Sequence, residues 1–212
     1  MPKLKAVVFD MDGVLIDARE WHYEALNRAL GQFGFTISRY DHLVTFDGLP
    51  TRRKLELLSR EQSLPTGLHE FLNELKQLYT MEIIHARCKP RFQHEYSLAR
   101  LQAAGYRLAV ASNSVRATVD LMMDKSALAR YLAVTVSNQD VSRGKPDPEI
   151  YMTAFSRLGI APHEALIVED NPHGIAAAKS SGGHVMVVRD PNDVTWDNIR
   201  RHLDAAEHGG GV

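Results

Sequence analysis

Ala6-Val7-Val8-Phe9-Asp10-Met11-Asp12-Gly13-Val14-Leu15-Ile16-Asp17 decides the fold: an apolar run ends in two acids one residue apart, with a glycine immediately after. This pattern is a strand that delivers carboxylates to the edge of a sheet. In parallel α/β sheets ligands bind outside the carboxyl ends of the strands, so Asp10 and Asp12 stand where chemistry is usually done. Two acids this close repel each other unless a proton or cation intervenes, and oxygen-rich sites of this kind suit Mg²⁺. Alone, Asp-x-Asp-Gly is equally an acidic turn after a buried strand, so the decision passes to the rest of the chain.

Three more sites follow apolar runs. Leu108-Ala109-Val110-Ala111 ends in Ser112-Asn113-Ser114, and Ala165-Leu166-Ile167-Val168 ends in Glu169-Asp170. Between them, after Ala133-Val134-Thr135-Val136, a loop carries Arg143-Gly144-Lys145-Pro146-Asp147-Pro148. Strand ends of one parallel sheet share one rim. Two acidic pairs, a hydroxyl and a lysine are therefore expected to converge on one crevice.

In this order, between residues 10 and 170, the four segments resemble the four motifs of the haloacid dehalogenase superfamily of phosphoryl-transfer enzymes. The resemblance is strongest to the branch of β-phosphoglucomutase and of phosphoglycolate-type or sugar-phosphate phosphatases, and it covers nearly the whole chain. It implies an α/β fold with a doubly wound, Rossmann-like parallel sheet and a small all-helical cap inserted after the first strand. It also implies Asp10 as nucleophile and Mg²⁺ ligand. Asp12 is implied as general acid and base, with its backbone carbonyl on the metal. Asp170 is the implied further ligand, and Glu169 a weaker ligand or a support. Lys145 and Mg²⁺ supply positive charge, while Ser112 and the backbone N–H groups of Met11 and Asn113 grip the phosphoryl oxygens. Dehalogenases and phosphonoacetaldehyde hydrolases of the superfamily lack the acid found here at Asp12, so the resemblance favours phosphate esters.

Residues 18–85 read as the helical insertion, leaving 1–17 and 86–212 as the core. Helical spacing covers Glu20–Leu30, 52–60 and 66–84, with a break at Phe46-Asp47-Gly48-Leu49-Pro50 and Thr51 as the expected cap of the next helix. Substrate contacts are expected from His22 and from Arg52, within the cluster Arg52-Arg53-Lys54. Arg52 falls one residue beyond the arginine of β-phosphoglucomutase-like proteins. Lys76 reads as an exposed helix lysine or as one that reaches down from the cap toward substrate, the first being favoured. Arg91 stands where relatives commonly carry glycine.

After residue 90 helices alternate with strands: helices over 94–104, 115–123, 148–158, 172–181 and 195–206, and strands over 107–111, 133–137, 165–168 and 184–188. Asp147-Pro148 and Asn171-Pro172 each set a capping residue before proline, Gly182-Gly183 closes a helix, and His208–Val212 reads as a frayed tail.

Composition agrees. The chain has 212 residues, 44% hydrophobic content, a formal charge of −1 and one cysteine, Cys88, so it has material for a core and no basic footprint for nucleic acid. No stretch reaches membrane-spanning length, and the start runs into a strand without a signal peptide. The expectation is a cytoplasmic monomer or weak dimer with a small phosphorylated substrate and no nucleic-acid or membrane partner. Its activity is expected to be that of a phosphatase. The alternatives are a phosphosugar mutase of β-phosphoglucomutase type and a non-catalytic binding protein on the same fold.

Overall fold

The computed structural model describes residues 4–46 and 48–208, so residues 1–3, Asp47 and 209–212 lie outside the described residues; His208, expected to begin the tail, is instead the last residue of the terminal helix. Two compact units result, one of Ala18–Cys88 and one of Met1–Asp17 with Lys89–Val212.

The helical unit holds α1 (Arg19–Gly31), α2 (Arg39–Asp41), α3 (Thr51–Gln62) and α4 (His69–Arg87). A π-helical stretch, His42–Phe46, continues α2. Apolar stripes on α1, α3 and α4 close a core of Leu26, Leu30, Phe46, Leu55, Leu58 and Leu72. Pro50 takes the N-cap of α3 and Thr51 is its first residue, which corrects the expected capping role of Thr51. Lys76 also departs from expectation: it is buried, with Nζ 3.4 Å from His22 Nδ1. The reason lies in its spacing, since Leu72, Lys76, Thr80 and Ile83 recur at helical intervals along the inward stripe of α4. Arg52 has a side chain 90% exposed and 3.6 Å from Glu56, whereas its neighbour Lys54 is buried.

In the α/β unit, β1 (Ala6–Phe9), β2 (Arg107–Ala111), β3 (Val134–Val136), β4 (Ala165–Glu169) and β5 (His184–Val187) form one sheet in the order β3-β2-β1-β4-β5. All neighbouring strands are parallel. Parallel pairing requires crossovers. Helices α5 (Phe92–Ala103), α6 (Arg116–Lys125), α7 (Glu149–Leu158) and α8 (Pro172–Ser181) supply them, α5 following the inserted helical unit, and α9 (Trp196–His208) ends the chain's described elements. One face of the sheet, including Val8, Ala111 and Ile167, packs on Ile150, Tyr151 and Phe155 of α7. At the cap positions, Asn171 accepts from the His173 N–H at 3.0 Å with Pro172 first in α8. Helix α7 begins one residue later than expected, at Glu149, although Asp147 still accepts from the Glu149 N–H at 3.0 Å.

The strand order places the site. From central β1 the chain builds β2 and β3 on one side, then crosses to build β4 and β5 on the other, so the order reverses at β1. Crevices form at such reversals, outside the carboxyl ends of the strands. Phe9 is level with Val110 and Val168, and the Asp10 N–H donates to the Val168 carbonyl at 2.9 Å. Asp10 and Glu169 therefore leave the sheet side by side. Among the described residues, no helix is long and apolar enough to cross a membrane.

Candidate active site

Beyond Asp10 the chain turns sharply. The Met11 carbonyl accepts from the N–H groups of Leu15 and Ile16 at 3.0 and 2.9 Å, and Gly13 takes a φ of +91°. Only glycine suits position 13 on two grounds: that φ disfavours side chains, and a Cβ there would collide with the Asp170 carboxylate. The turn thus folds the first acidic pair against the second. Ligand oxygens of Asp10, Glu169 and Asp170 all lie within 4.8 Å of one another.

Lys145 reaches the same point from the loop between β3 and α7. Its Nζ donates to Asp10 Oδ1 at 2.5 Å and to Glu169 Oε1 at 2.6 Å. Both of its backbone groups are held by one side chain: Asn113 Oδ1 accepts from the Lys145 N–H at 2.9 Å, and Asn113 Nδ2 donates to the Lys145 carbonyl at 3.2 Å. The amide needs the space of Gly144, where a Cβ would press on Asn113 Oδ1. Ser112, buried at the end of β2, accepts from the Ser114 N–H at 3.0 Å. Asp12 receives a hydrogen bond on Oδ2 from Ser114 Oγ at 3.0 Å.

Glu169 is the most heavily bonded group of the set. Its Oε1 accepts from Lys145 and, at 2.7 Å, from the Tyr151 hydroxyl, while its Oε2 accepts from the N–H groups of Asp170 and Asn171 at 3.0 and 3.2 Å. Four donors occupy its two oxygens, which leaves it better suited to fixing Lys145 than to binding a metal. Tyr151 also sets its ring 4.8 Å from Lys145 Nζ. Neither Tyr151 nor Ser114 stood out in the sequence as a site residue. Tyr151 lies within the apolar stripe of α7, and its partner is 18 residues further along the chain.

Burial dominates the electrostatics. It drives the Asp10 carboxyl well above its usual range, with Glu169, Asp12 and Asp170 adding to the effect and Lys145 opposing it. For Lys145, burial alone would lower the ammonium, but Asp10 and Glu169 outweigh it and hold the group firmly protonated. Burial likewise lifts the Tyr151 phenol well above its ordinary value, so it remains a donor. Three carboxylates against one ammonium leave two more negative charges than positive. A divalent cation with a preference for hard oxygen ligands matches both that excess and the donor set, so the residues fit Mg²⁺.

Of the residues expected at the site, Asp10, Lys145, Glu169 and Asp170 meet directly, while Asp12, Ser112 and Asn113 join through the contacts above. Met11 is buried at the turn. His22 and Arg52 belong to the helical unit. Arg91 is exposed and donates to Asn192 Oδ1 at 2.7 Å.

Known proteins resemble this chain in sequence and in fold. A phosphorylated carbohydrates phosphatase of Thermotoga maritima is 30% identical over 182 residues, spanning 84% of this chain and 82% of the relative. The β-phosphoglucomutase structure of Clostridium difficile superposes with a TM-score of 0.82 at 18% identity, covering 97% and 99% of the two chains. CbbY of Rhodobacter sphaeroides in complex with phosphate gives a TM-score of 0.78 at 24% identity, covering 87% and 85%. At those identities the two structures speak for the fold. Residues 7–188, which include all four site segments and, apart from Ala6, all five strands, match the sequence pattern of the haloacid dehalogenase-like hydrolases, and the chain belongs to that family.

Proposed function

We propose that this hydrolase is a Mg²⁺-dependent phosphatase that cleaves a small phosphorylated metabolite, with sugar phosphates the first class to try, through an aspartyl-phosphate intermediate. The observation that carries the reading is the buried set of Asp10, Lys145 and Glu169, with Asp170 within reach, at the reversal point of the sheet. The phosphoric monoester hydrolase class is supported by the phosphatase among its relatives.

Phosphate esters resist attack because their own oxygens repel a nucleophile, so the site must supply positive charge first. Mg²⁺, held by Asp10, Asp170 and the Asp12 carbonyl, would supply part of that charge. Lys145 supplies the rest, held in place by Glu169 and by the Asn113 amide. An Asp10 carboxylate oxygen attacks phosphorus while the bond from phosphorus to the leaving oxygen breaks, and Asp12 gives that oxygen its proton. Water then attacks the phosphorus of the aspartyl-phosphate. Asp12 takes a proton from that water, and inorganic phosphate leaves with Asp10 restored. Ser112 and the N–H groups of Met11 and Asn113 are the proposed grip on the phosphoryl oxygens. The helical unit is the proposed cap, with His22 and Lys76 its candidates for choosing the substrate.

The test is phosphate release by purified protein across a panel of phosphorylated metabolites, with Mg²⁺ and with chelator. Release that needs Mg²⁺ supports the reading. Isomerisation of a sugar phosphate without net release of phosphate would replace it with the mutase, and an inert protein across the panel would leave a binding module.

A further inference from the structure

Ser114 follows Ser112 and Asn113 in the loop after β2, and each of its polar groups has a separate task. Its N–H donates to Ser112 Oγ at 3.0 Å, and its carbonyl accepts from the Asn138 N–H at 3.1 Å. Those two bonds fix the backbone. The hydroxyl is then directed at Asp12 Oδ2, 3.0 Å away and 102 residues earlier in the chain.

We propose that Ser114 is a positioning residue for Asp12: its hydroxyl fixes the carboxyl of Asp12 in the orientation from which the leaving oxygen receives its proton. The inference rests on the function proposed above, in which Asp12 is the proton donor. An aspartate side chain turns about two torsions, and proton transfer needs the two oxygens near 3 Å and aligned. The turn through Gly13 fixes the backbone of Asp12, because the Gly13 N–H donates to the Ile16 carbonyl at 2.7 Å and Asp12 bridges to Ile16. That arrangement leaves the side-chain torsions to be set by contacts beyond the turn. Ser114 supplies one from a residue whose backbone is held by Ser112 Oγ and by the Asn138 N–H, the kind of support that narrows a catalytic geometry.

A group acting through Asp12 matters only where the leaving oxygen needs a proton. The experiment therefore compares kcat/KM of the Mg²⁺-loaded protein for an alkyl phosphate, whose alkoxide is a poor leaving group, with p-nitrophenyl phosphate, whose phenolate departs unaided. Ser114→Ala is expected to lose about tenfold on the alkyl ester and less than about twofold on the aryl ester. Ser114→Thr keeps the hydroxyl and is expected to recover most of the alkyl-ester rate. Equal losses on both esters would overturn the inference, since a residue that grips the phosphoryl group or merely supports the fold acts on both. So would an unchanged alkyl-ester rate, or a threonine variant as slow as the alanine one. Asp12→Ala separates the two levels of the argument. If it discriminates between the esters and Ser114→Ala does not, the positioning role falls alone; if it slows both alike, the proton-donor role of Asp12 falls and takes the role of Ser114 with it.

Discussion

Both units bury charged side chains, but on different terms. In the α/β unit Lys145 lies 2.5 and 2.6 Å from two carboxylates, and every oxygen of Glu169 meets a donor. In the helical unit the buried amine of Lys76 lies 3.4 Å from an imidazole nitrogen, and the arginine–glutamate pairs of Arg28, Arg39, Arg53 and Arg87 sit at the surface. Matched opposite charges held at short range define a geometry and so a chemistry. The helical unit defines a packing, with amines carried on its inward stripes. On the function proposed above, the reaction belongs to the rim of the sheet, and the helical unit is the place to seek substrate choice.

The largest expected effect comes from Asp10→Asn, a nearly isosteric change that removes the nucleophile and keeps the shape. Activity should fall by roughly 10⁴-fold or more, with no phosphorylated protein trapped on rapid acid quench and with the unfolding midpoint little changed. Retained turnover would move the nucleophile elsewhere and dissolve the contrast between the units.

Lys145→Met tests whether the buried charges are a matched set. Breaking a buried pair leaves uncompensated charge, worth about 3–5 kcal/mol in stability, so urea unfolding should show a loss of that order along with a fall of roughly 10³-fold in activity. Lys76→Met in the helical unit is the companion: methionine keeps the packing of the lysine stem on the inward stripe of α4, so the unfolding shift should be smaller than that of Lys145→Met. Similar losses in both variants would mean that the two units bury their amines for the same reason.

Glycines sharpen the comparison at smaller scale. Gly174→Ala in α8 would gain up to about 1 kcal/mol of helix propensity, but its Cβ would collide with the Glu169 carboxylate, which four hydrogen bonds prevent from moving aside. The collision should win, lowering stability by about 2 kcal/mol and activity by at least about tenfold as Lys145 loses its anchor. Gly67→Ala in the helical unit meets nothing within 4 Å. There the stiffer chain should be neutral or stabilising by up to about 1 kcal/mol, read from the same thermal melts.

What the sequence revealed follows the same division. Strands announce themselves as apolar runs, and Asn171-Pro172 marks a helix start with two local rules at once, so the sheet and its carboxyl rim were readable residue by residue. The convergence of Asp10, Lys145 and Asp170 needed the added rule that parallel strands share one rim. Tyr151 carries no signal of its own because an apolar stripe explains a tyrosine in α7 fully, and its hydroxyl partner, Glu169, lies at the end of β4. Lys76 is buried, against the favoured reading of it as exposed: its spacing from Leu72 and Thr80 puts it on the inward side, a signal masked by how rarely lysine is buried. The π-helical stretch 42–46 has no repeat of its own in sequence, and the two glycines at 31 and 34 mark only where α1 stops.

Arg52 carries the smallest expected effect. Its position beside the Phe46–Pro50 break suggested a contact to a distal anionic group, yet its side chain is 90% exposed and 3.6 Å from Glu56. A solvated pair of this kind contributes little and is screened further by salt. Arg52→Ala should therefore change the KM of the best substrate by less than about twofold and leave the unfolding midpoint unmoved. Lys54, two residues on, faces inward on the stripe of Leu55 and Leu58, so Lys54→Met should register in the melt where Arg52→Ala does not. A KM raised more than about fivefold by Arg52→Ala alone would show that the helical unit chooses its substrate from the solvated face of α3, and would turn the contrast between matched interior charges and surface charges against the assignment made here.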